Sequence, residues 1–114
     1  INKLIEFSSS PDDIFLYEGK EISSEYGIVP IDATEDLPEY QAIYFVITDD
    51  DEILYIGRAK NLFERWRTGH HKSVKFFEKG IPFIIYAIFH ELSRSEMSFL
   101  ERYYIKKHNP TLQG

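Results

Sequence analysis

The pattern of apolar and polar residues predicts a β-hairpin near the middle of the chain. Residues 42–48 and 53–57 are rich in β-branched and aromatic side chains, which favour strands. The acidic residues 49–52 between them are typical of a turn. A third apolar segment at residues 83–90 follows Pro82 and predicts another strand.

Capping residues and helical periodicity predict two short helices after the hairpin. Asn61 can accept a hydrogen bond from the backbone of Glu64, three residues further on, so it should start a helix over residues 62–68. Residues 73–79 predict a second helix, which ends where Gly80 can adopt a left-handed conformation.

A longer final helix is predicted from Ser93, which forms a capping box with Glu96, to about His108, before Pro110 stops it. The elements then follow the order strand, strand, helix, helix, strand, helix. This order predicts an α/β fold with a small three-stranded antiparallel sheet flanked by helices.

Residues 1–40 differ from the rest of the chain. They hold ten acidic and two basic residues and several turn residues. We expect an acidic N-terminal appendage with one short hairpin, attached to a domain at residues 41–114. A chain of 114 residues is long enough for one domain with its own core.

Charge is unevenly distributed along the chain. The net charge of −6 argues against nucleic acid as a partner, because phosphate binding depends on lysine and arginine. Residues 57–79, however, hold seven basic and two acidic residues, so the acidic total conceals a compact basic segment. Such a segment is either a nucleic-acid surface or merely a solvated face.

Composition excludes several classes of protein. The absence of cysteine excludes disulfides, thiolate nucleophiles and cysteine-ligated zinc or iron–sulfur sites. The longest apolar run, residues 83–89, is far shorter than the roughly 20 residues that cross a bilayer. We therefore expect a cytoplasmic protein without a membrane partner.

Two tyrosines of the hairpin are candidate functional residues. If the loop is centred on Asp49 and Asp50, Tyr44 faces Tyr55 directly and both phenols project from one face of the sheet. An aromatic pair that stabilises the sheet by packing is the more common use of two tyrosines.

Glu101 is anomalous because it lies in the middle of the apolar stripe of the final helix, between Leu100 and Tyr104. A buried carboxylate needs compensation, so Glu101 should meet either an arginine or a metal ion. Arg65, on the inward face of the first helix, and Arg58, after the second strand, could both reach a phosphate near the tyrosines.

Four separated motifs resemble, in order and spacing, those of the GIY-YIG nuclease family. They read AIY at residues 42–44, YIGRAKNLFER at 55–65, LERYYI at 100–105 and NPTLQ at 109–113. The resemblance implies an endonuclease module that depends on a divalent metal and hydrolyses nucleic-acid phosphodiesters, with DNA favoured over RNA.

The resemblance also implies roles for individual residues. Tyr44 and Tyr55 are the paired tyrosines, Tyr44 being the one that activates water. Arg65 binds phosphate, and Glu101 is the ligand of a single Mg²⁺ or Mn²⁺ ion. The residues expected to bind nucleic acid are Arg58, Lys60, Arg67, His70 and Lys72.

The chain departs from the family pattern at three positions. Ala42 replaces a glycine, and Gln113 replaces a terminal asparagine. Gly69 occupies the position where the family often has a histidine or tyrosine one helical turn after the arginine, and His70 and His71 follow it. His70 could substitute after a small backbone shift, although adjacent histidines are more often simply solvated.

Two alternatives to a nuclease stay open. One is a non-catalytic nucleic-acid or protein interaction domain that retains the fold, and the other is a structural domain with a polar core network. The chain carries no helix-turn-helix or zinc module, so sequence specificity would come from the appendage, from a protein partner, or be absent.

Overall fold

The computed structural model of the chain describes residues 25–113 together with the backbone at residues 16–17 and 20–21. Strands β1 (Leu16–Tyr17) and β2 (Lys20–Glu21) form a short antiparallel hairpin, as expected for this part of the chain. The other four strands form one antiparallel sheet in the order β3-β6-β4-β5. They are β3 (Tyr26–Pro30), β4 (Ala42–Ile47), β5 (Ile53–Ala59) and β6 (Phe83–Ile88).

The sheet has four strands where the sequence predicted three. The additional strand, β3, consists of residues predicted to belong to the N-terminal appendage, and it pairs with β6 along its whole length. It is an edge strand in which Val29 is buried whereas Ile28 is 41% exposed. Gly27 and Pro30 weaken its strand signal, because both residues are depleted in strands.

Three helices accompany the sheet: α1 (Leu62–Arg67), α2 (Ser73–Phe77) and α3 (Arg94–His108). Their predicted caps are confirmed. Asn61 Oδ1 accepts a hydrogen bond from the Glu64 backbone N–H at 3.0 Å. Ser93 and Glu96 form the capping box, and Asn109 ends α3 in a left-handed conformation.

The core has two layers, one on each side of β4, all of whose residues are buried. On one face, Met97, Leu100 and Tyr104 of α3 pack with residues such as Phe45. On the other face, α1, α2 and a 3-10 turn at Thr34–Asp36 cover the sheet. No helix in the described part of the chain is both long and apolar enough to cross a membrane.

The register of the central hairpin differs from the predicted one by two residues. Tyr44 pairs with Gly57, and Tyr55 pairs with Val46, so the two tyrosines are not directly opposed. The cause is a longer turn, in which Asp51 is left-handed with φ 70°, and a further irregularity beside Val46. A shift of two residues preserves the face, so both phenols still lie on the same side of the sheet.

Candidate active site

The ring of Tyr44 lies across β5 at the point where that strand has a glycine. Tyr44 is 1% exposed. A Cβ on Gly57 would lie 2.5 Å from both the Cζ and the Oη of Tyr44, so a residue other than glycine could not occupy this position without displacing the ring. The ring also stacks on Tyr55, with centroids 6.2 Å apart.

Charged residues converge on this pair of phenols. Burial raises the pKa of Tyr44, the positive charge of Arg65 opposes that increase, and the neighbouring Tyr55 and Glu101 reinforce it. Burial also raises the pKa of Tyr55, again against the charge of Arg65 and with a contribution from Glu101. Both phenols therefore lie within the electrostatic influence of one arginine and one carboxylate, and both are neutral near pH 7.

His70 contacts Tyr44 from the segment after α1. Gly69 has φ 89°, and this turn brings the following residue back against the helix. His70 is 4% exposed and stacks on Trp66 with centroids 4.7 Å apart. Its Nε2 lies 2.9 Å from the Tyr44 hydroxyl. The expectation that adjacent histidines are simply solvated is wrong for His70.

The hydrogen bonds of His70 define its tautomer. The backbone N–H of Lys72 donates to His70 Nδ1 at 3.1 Å, so Nδ1 carries no proton. Burial, with the positive charges of Arg65, His71 and Lys72, lowers the pKa of His70 to about 3, so the ring is neutral. Its proton therefore resides on Nε2, which donates to the Tyr44 oxygen.

Glu101 meets an arginine, which is one of the two partners that its position predicted. Arg58 Nε donates to Glu101 Oε1 at 3.2 Å, and the two side chains are 40% and 22% exposed. Because both remain accessible to water, the ion pair can be exchanged for other partners at little cost.

The donor set around Glu101 suits a magnesium ion but not a preformed cage. Within the described residues, no three histidine, cysteine or acidic side chains cluster together. Magnesium commonly binds through one or two carboxylates and completes its shell with water and phosphate oxygens. Glu101 alone can provide such a carboxylate once Arg58 moves aside.

Comparison with known proteins identifies the family. A family model described as the GIY-YIG catalytic domain matches residues 40–113. The chain belongs to this family. None of the curated proteins matches it.

Solved structures of the GIY-YIG N-terminal endonuclease domain of UvrC from Thermotoga maritima have a similar fold. A tyrosine-to-phenylalanine mutant bound to its catalytic divalent cation matches with a TM-score of 0.56 and 25% identity, over 71% of this chain and 90% of that one. The magnesium-bound domain matches with a TM-score of 0.56 and 24% identity, over 71% and 91%.

Gln113 of this GIY-YIG domain binds the hairpin although it is longer than the asparagine it replaces. Its Oε1 accepts from the backbone N–H of Ile56 at 2.8 Å, and its Nε2 donates to the Ile56 carbonyl at 2.9 Å. Thr111 and Leu112 add backbone hydrogen bonds to Ile53 and Leu54. The C-terminal segment, residues 111–113, thus lies along β5, the strand that carries Tyr55.

The predicted nucleic-acid-binding residues of the GIY-YIG domain are not all on its surface. Arg58, Lys60 and Arg67 are exposed, Lys72 is partly exposed, and Arg67 pairs with Glu64 at 2.9 Å. His70 is instead buried against Tyr44. Its contacts place it beside a tyrosine and not on a surface that a phosphate could reach directly.

His71 is a site residue that the sequence did not single out. Its Nδ1 lies 3.2 Å from an Nη of Arg65, and its ring stacks on His70 with centroids 4.3 Å apart. The signal in the sequence is the short separation of Arg65 and His71, with Gly69 between them to turn the chain.

Proposed function

We propose that this GIY-YIG domain is a divalent-metal-dependent endonuclease that hydrolyses nucleic-acid phosphodiesters, with DNA preferred to RNA. The observation that carries the proposal is the environment of Tyr44. Its hydroxyl accepts a hydrogen bond from a neutral, buried His70 while Arg65 and Glu101 act on it electrostatically. A pair of tyrosines that served packing alone would not need these neighbours.

Arg65 and Arg58 are the residues that we assign to phosphate binding. Arg65 is partly exposed, and it also hydrogen-bonds Tyr44. Its contact with the exposed His71 is easily exchanged for a phosphate oxygen. Arg58 can leave Glu101 in the same way, because their ion pair is open to water. Arginine donors stabilise the charge that accumulates on the phosphate in the transition state.

Glu101 would hold the divalent ion. When bound, such an ion polarises the phosphate and favours the ionised form of nearby acidic groups. This matters for Tyr44 because burial keeps its phenol protonated in the free protein. An ion bound at Glu101 would therefore make the phenolate of Tyr44 easier to form.

Tyr44 would accept the proton of the attacking water after its own proton has passed to bulk water. The water oxygen bonds to phosphorus as the bond from phosphorus to the leaving oxygen breaks, and that oxygen takes a proton from bulk water. The phenolate oxygen keeps the hydrogen bond from His70 Nε2–H, which stabilises the negative charge and holds the ring in place. His70 cannot serve as the base itself, because its Nδ1 is occupied by the Lys72 N–H and its Nε2 carries a proton. Tyr55 supports the site by stacking on Tyr44.

One observation favours a second candidate, a non-catalytic nucleic-acid or protein interaction domain that retains the fold. The Arg58–Glu101 ion pair provides Glu101 with a structural partner without any metal. In that alternative, the only role of Glu101 is to form the ion pair with Arg58, and no cleavage occurs.

The test is cleavage of supercoiled, branched and single-stranded DNA, and of RNA, in Mg²⁺ or Mn²⁺. Glu101→Gln should abolish cleavage and leave the fold nearly intact, because the amide keeps the shape of the side chain but loses the charge that holds the ion. Glu64→Gln is the matched control, since Glu64 also pairs with an arginine but is exposed and is not among the groups that shift the pKa of Tyr44 or Tyr55. Cleavage at the wild-type rate by Glu101→Gln would mean that Glu101 does not hold the metal ion. No cleavage by the wild type would favour the interaction domain.

A further inference from the structure

A small basic pocket lies beside the candidate active site, between the end of β5 and the first turns of α3. Its volume is about 120 Å³. The residues that line it are Gln41, Arg58, Ala59, Lys60, Arg94 and Met97. Three of these six side chains are cations, and none is acidic.

The positive charge of this basic pocket is only partly compensated. Arg58 pairs with Glu101. Among the residues that the structure describes, no carboxylate lies within ion-pair distance of Lys60 or Arg94, and both side chains are exposed. A concave site with uncompensated cations attracts an anion of matching size, and arginine suits phosphate in particular.

The side chain of Gln41, which lines the basic pocket, is held in place by two hydrogen bonds. Its Nε2 donates to the backbone carbonyls of Phe89 at 2.8 Å and Leu92 at 2.9 Å, so both amide hydrogens are used. Only its carbonyl oxygen remains, and that atom can orient a neighbouring cation but cannot donate to an anion. Lys60 and Arg94 are therefore the groups available to bind.

Arg58 connects the basic pocket to the candidate active site, because it lines the pocket and also contacts Glu101. A ligand with several phosphates in a row could occupy both places at once. We propose that the basic pocket binds a second phosphate of the nucleic-acid strand, next to the scissile one, through Lys60 and Arg94. This inference rests on the proposed function.

The position of Arg94 makes it suitable for a test. It is exposed in the first turn of α3, where the helix dipole disfavours a cation, so replacing it should not destabilise the fold. Arg102 is the matched control: it is exposed on the same helix and does not line the pocket. Arg94→Gln and Arg102→Gln remove the same charge from one helix.

The first measurement is binding of a fluorescent duplex and of a single-stranded oligonucleotide over a range of salt concentrations, in EDTA so that no cleavage occurs. Arg94→Gln should weaken binding about five-fold and reduce the slope of log affinity against log salt by about one, because one phosphate contact is lost. Arg102→Gln should leave both quantities close to wild type. Equal behaviour of the two variants would overturn the inference.

The second measurement replaces one phosphate of the oligonucleotide at a time with a neutral methylphosphonate. At one position, the replacement should weaken binding by the wild type and by Arg102→Gln more than binding by Arg94→Gln, since that variant keeps Lys60 but has lost one of the two charges that hold this phosphate. If Arg94→Gln responds at every position as the wild type does, the basic pocket does not bind that phosphate.

The two proposals can fail separately. A wild type that cuts DNA while Arg94→Gln behaves as Arg102→Gln would overturn the pocket inference alone. A wild type that shows the Arg94-dependent phosphate contact but never cuts in Mg²⁺ or Mn²⁺ would support the pocket and overturn the nuclease.

Discussion

A tyrosine lies over a glycine of the neighbouring edge strand at both edges of the sheet, but only one of these tyrosines belongs to the candidate active site. Tyr44 covers Gly57 on β5, and Tyr86 covers Gly27 on β3. The two tyrosines pair with each other across the central strands. The sheet therefore uses one packing arrangement twice.

What differs is the surroundings of the two rings. Tyr44 is fully buried, is hydrogen-bonded to His70 and has Arg65 beside it. Tyr86 is half-buried, and burial is the sole cause that raises its pKa. The sheet places a phenol at either edge, whereas α1 and the turn after it supply the chemistry at one edge only.

The largest expected contrast is in cleavage. Tyr44→Phe should reduce the single-turnover cleavage rate by at least about 100-fold, because it removes a proton acceptor whose contribution is typically of that size or larger. Tyr86→Phe should stay within about three-fold of wild type, since its hydroxyl has no charged neighbour among the causes of its pKa shift. Comparable losses in both variants would mean that the two edges are functionally alike.

The two glycines should differ in their tolerance of a methyl group. In Gly57→Ala the new Cβ meets a fully buried ring that cannot move, so we expect a loss of about 2–3 kcal/mol in the free energy of unfolding. In Gly27→Ala the Cβ would overlap the Tyr86 hydroxyl, but that half-buried ring can rotate outward, and the expected loss is about 1 kcal/mol. Urea denaturation measures both, and a larger loss for Gly27→Ala would contradict this account.

The pH dependence of stability should identify His70. Its folded pKa of about 3 lies below the ordinary 6.5, so the unfolded chain binds a proton that the folded chain does not between these values. Stability from this group is thus fully present above pH 6.5 and declines as the pH falls, by up to about 1.4 kcal/mol per pH unit.

His70→Gln should consequently show a shallower decline in unfolding free energy between pH 6.5 and 4.5 than the wild type. Tyr86→Phe, which changes the opposite edge and no histidine, should keep the wild-type slope. Parallel curves for His70→Gln and wild type would mean that His70 takes up a proton over this pH range in the folded protein as it does in the unfolded chain.

The smallest expected effect concerns the edge strand β5 itself. Gln113→Ala removes two hydrogen bonds to Ile56 and should cost about 1–2 kcal/mol. Amide exchange at Ile56 should accelerate, while amides of β3 at the other edge keep their rates. Uniform acceleration across the sheet would show a global and not a local loss.

Local signals explain why much of the fold could be predicted from the sequence. The caps at Asn61 and Ser93 depend on residues three positions apart, and the hairpin strands depend on unbroken apolar runs, so a single stretch of sequence contains each signal. Strand β3 lacks such a signal, because its edge position buries little and its pairing with β6 joins residues more than 50 positions apart.

The candidate site was predictable where it depends on motifs and unpredictable where it depends on backbone geometry. Tyr44, Tyr55, Arg65 and Glu101 are singled out by the hairpin pattern and the helix periodicity, and the family resemblance implies their roles. In the structure, Arg65 and Glu101 act on the pKa of both tyrosines. The role of His70 as a partner of Tyr44 requires the left-handed turn at Gly69, and the hairpin register requires a bulge. Neither the turn nor the bulge produces a periodic pattern of apolar residues, so neither could be predicted from the sequence.

The contact between the C-terminal segment and β5 also bears on self-association. An edge strand with free N–H and C=O groups is a template to which another chain can add, and β5 is almost entirely buried and apolar. Residues 111–113 occupy that template with hydrogen bonds to Ile53, Leu54 and Ile56. Removal of residues 111–113 would expose the unpaired backbone groups of β5. The protein would then become prone to aggregate through the strand that carries Tyr55.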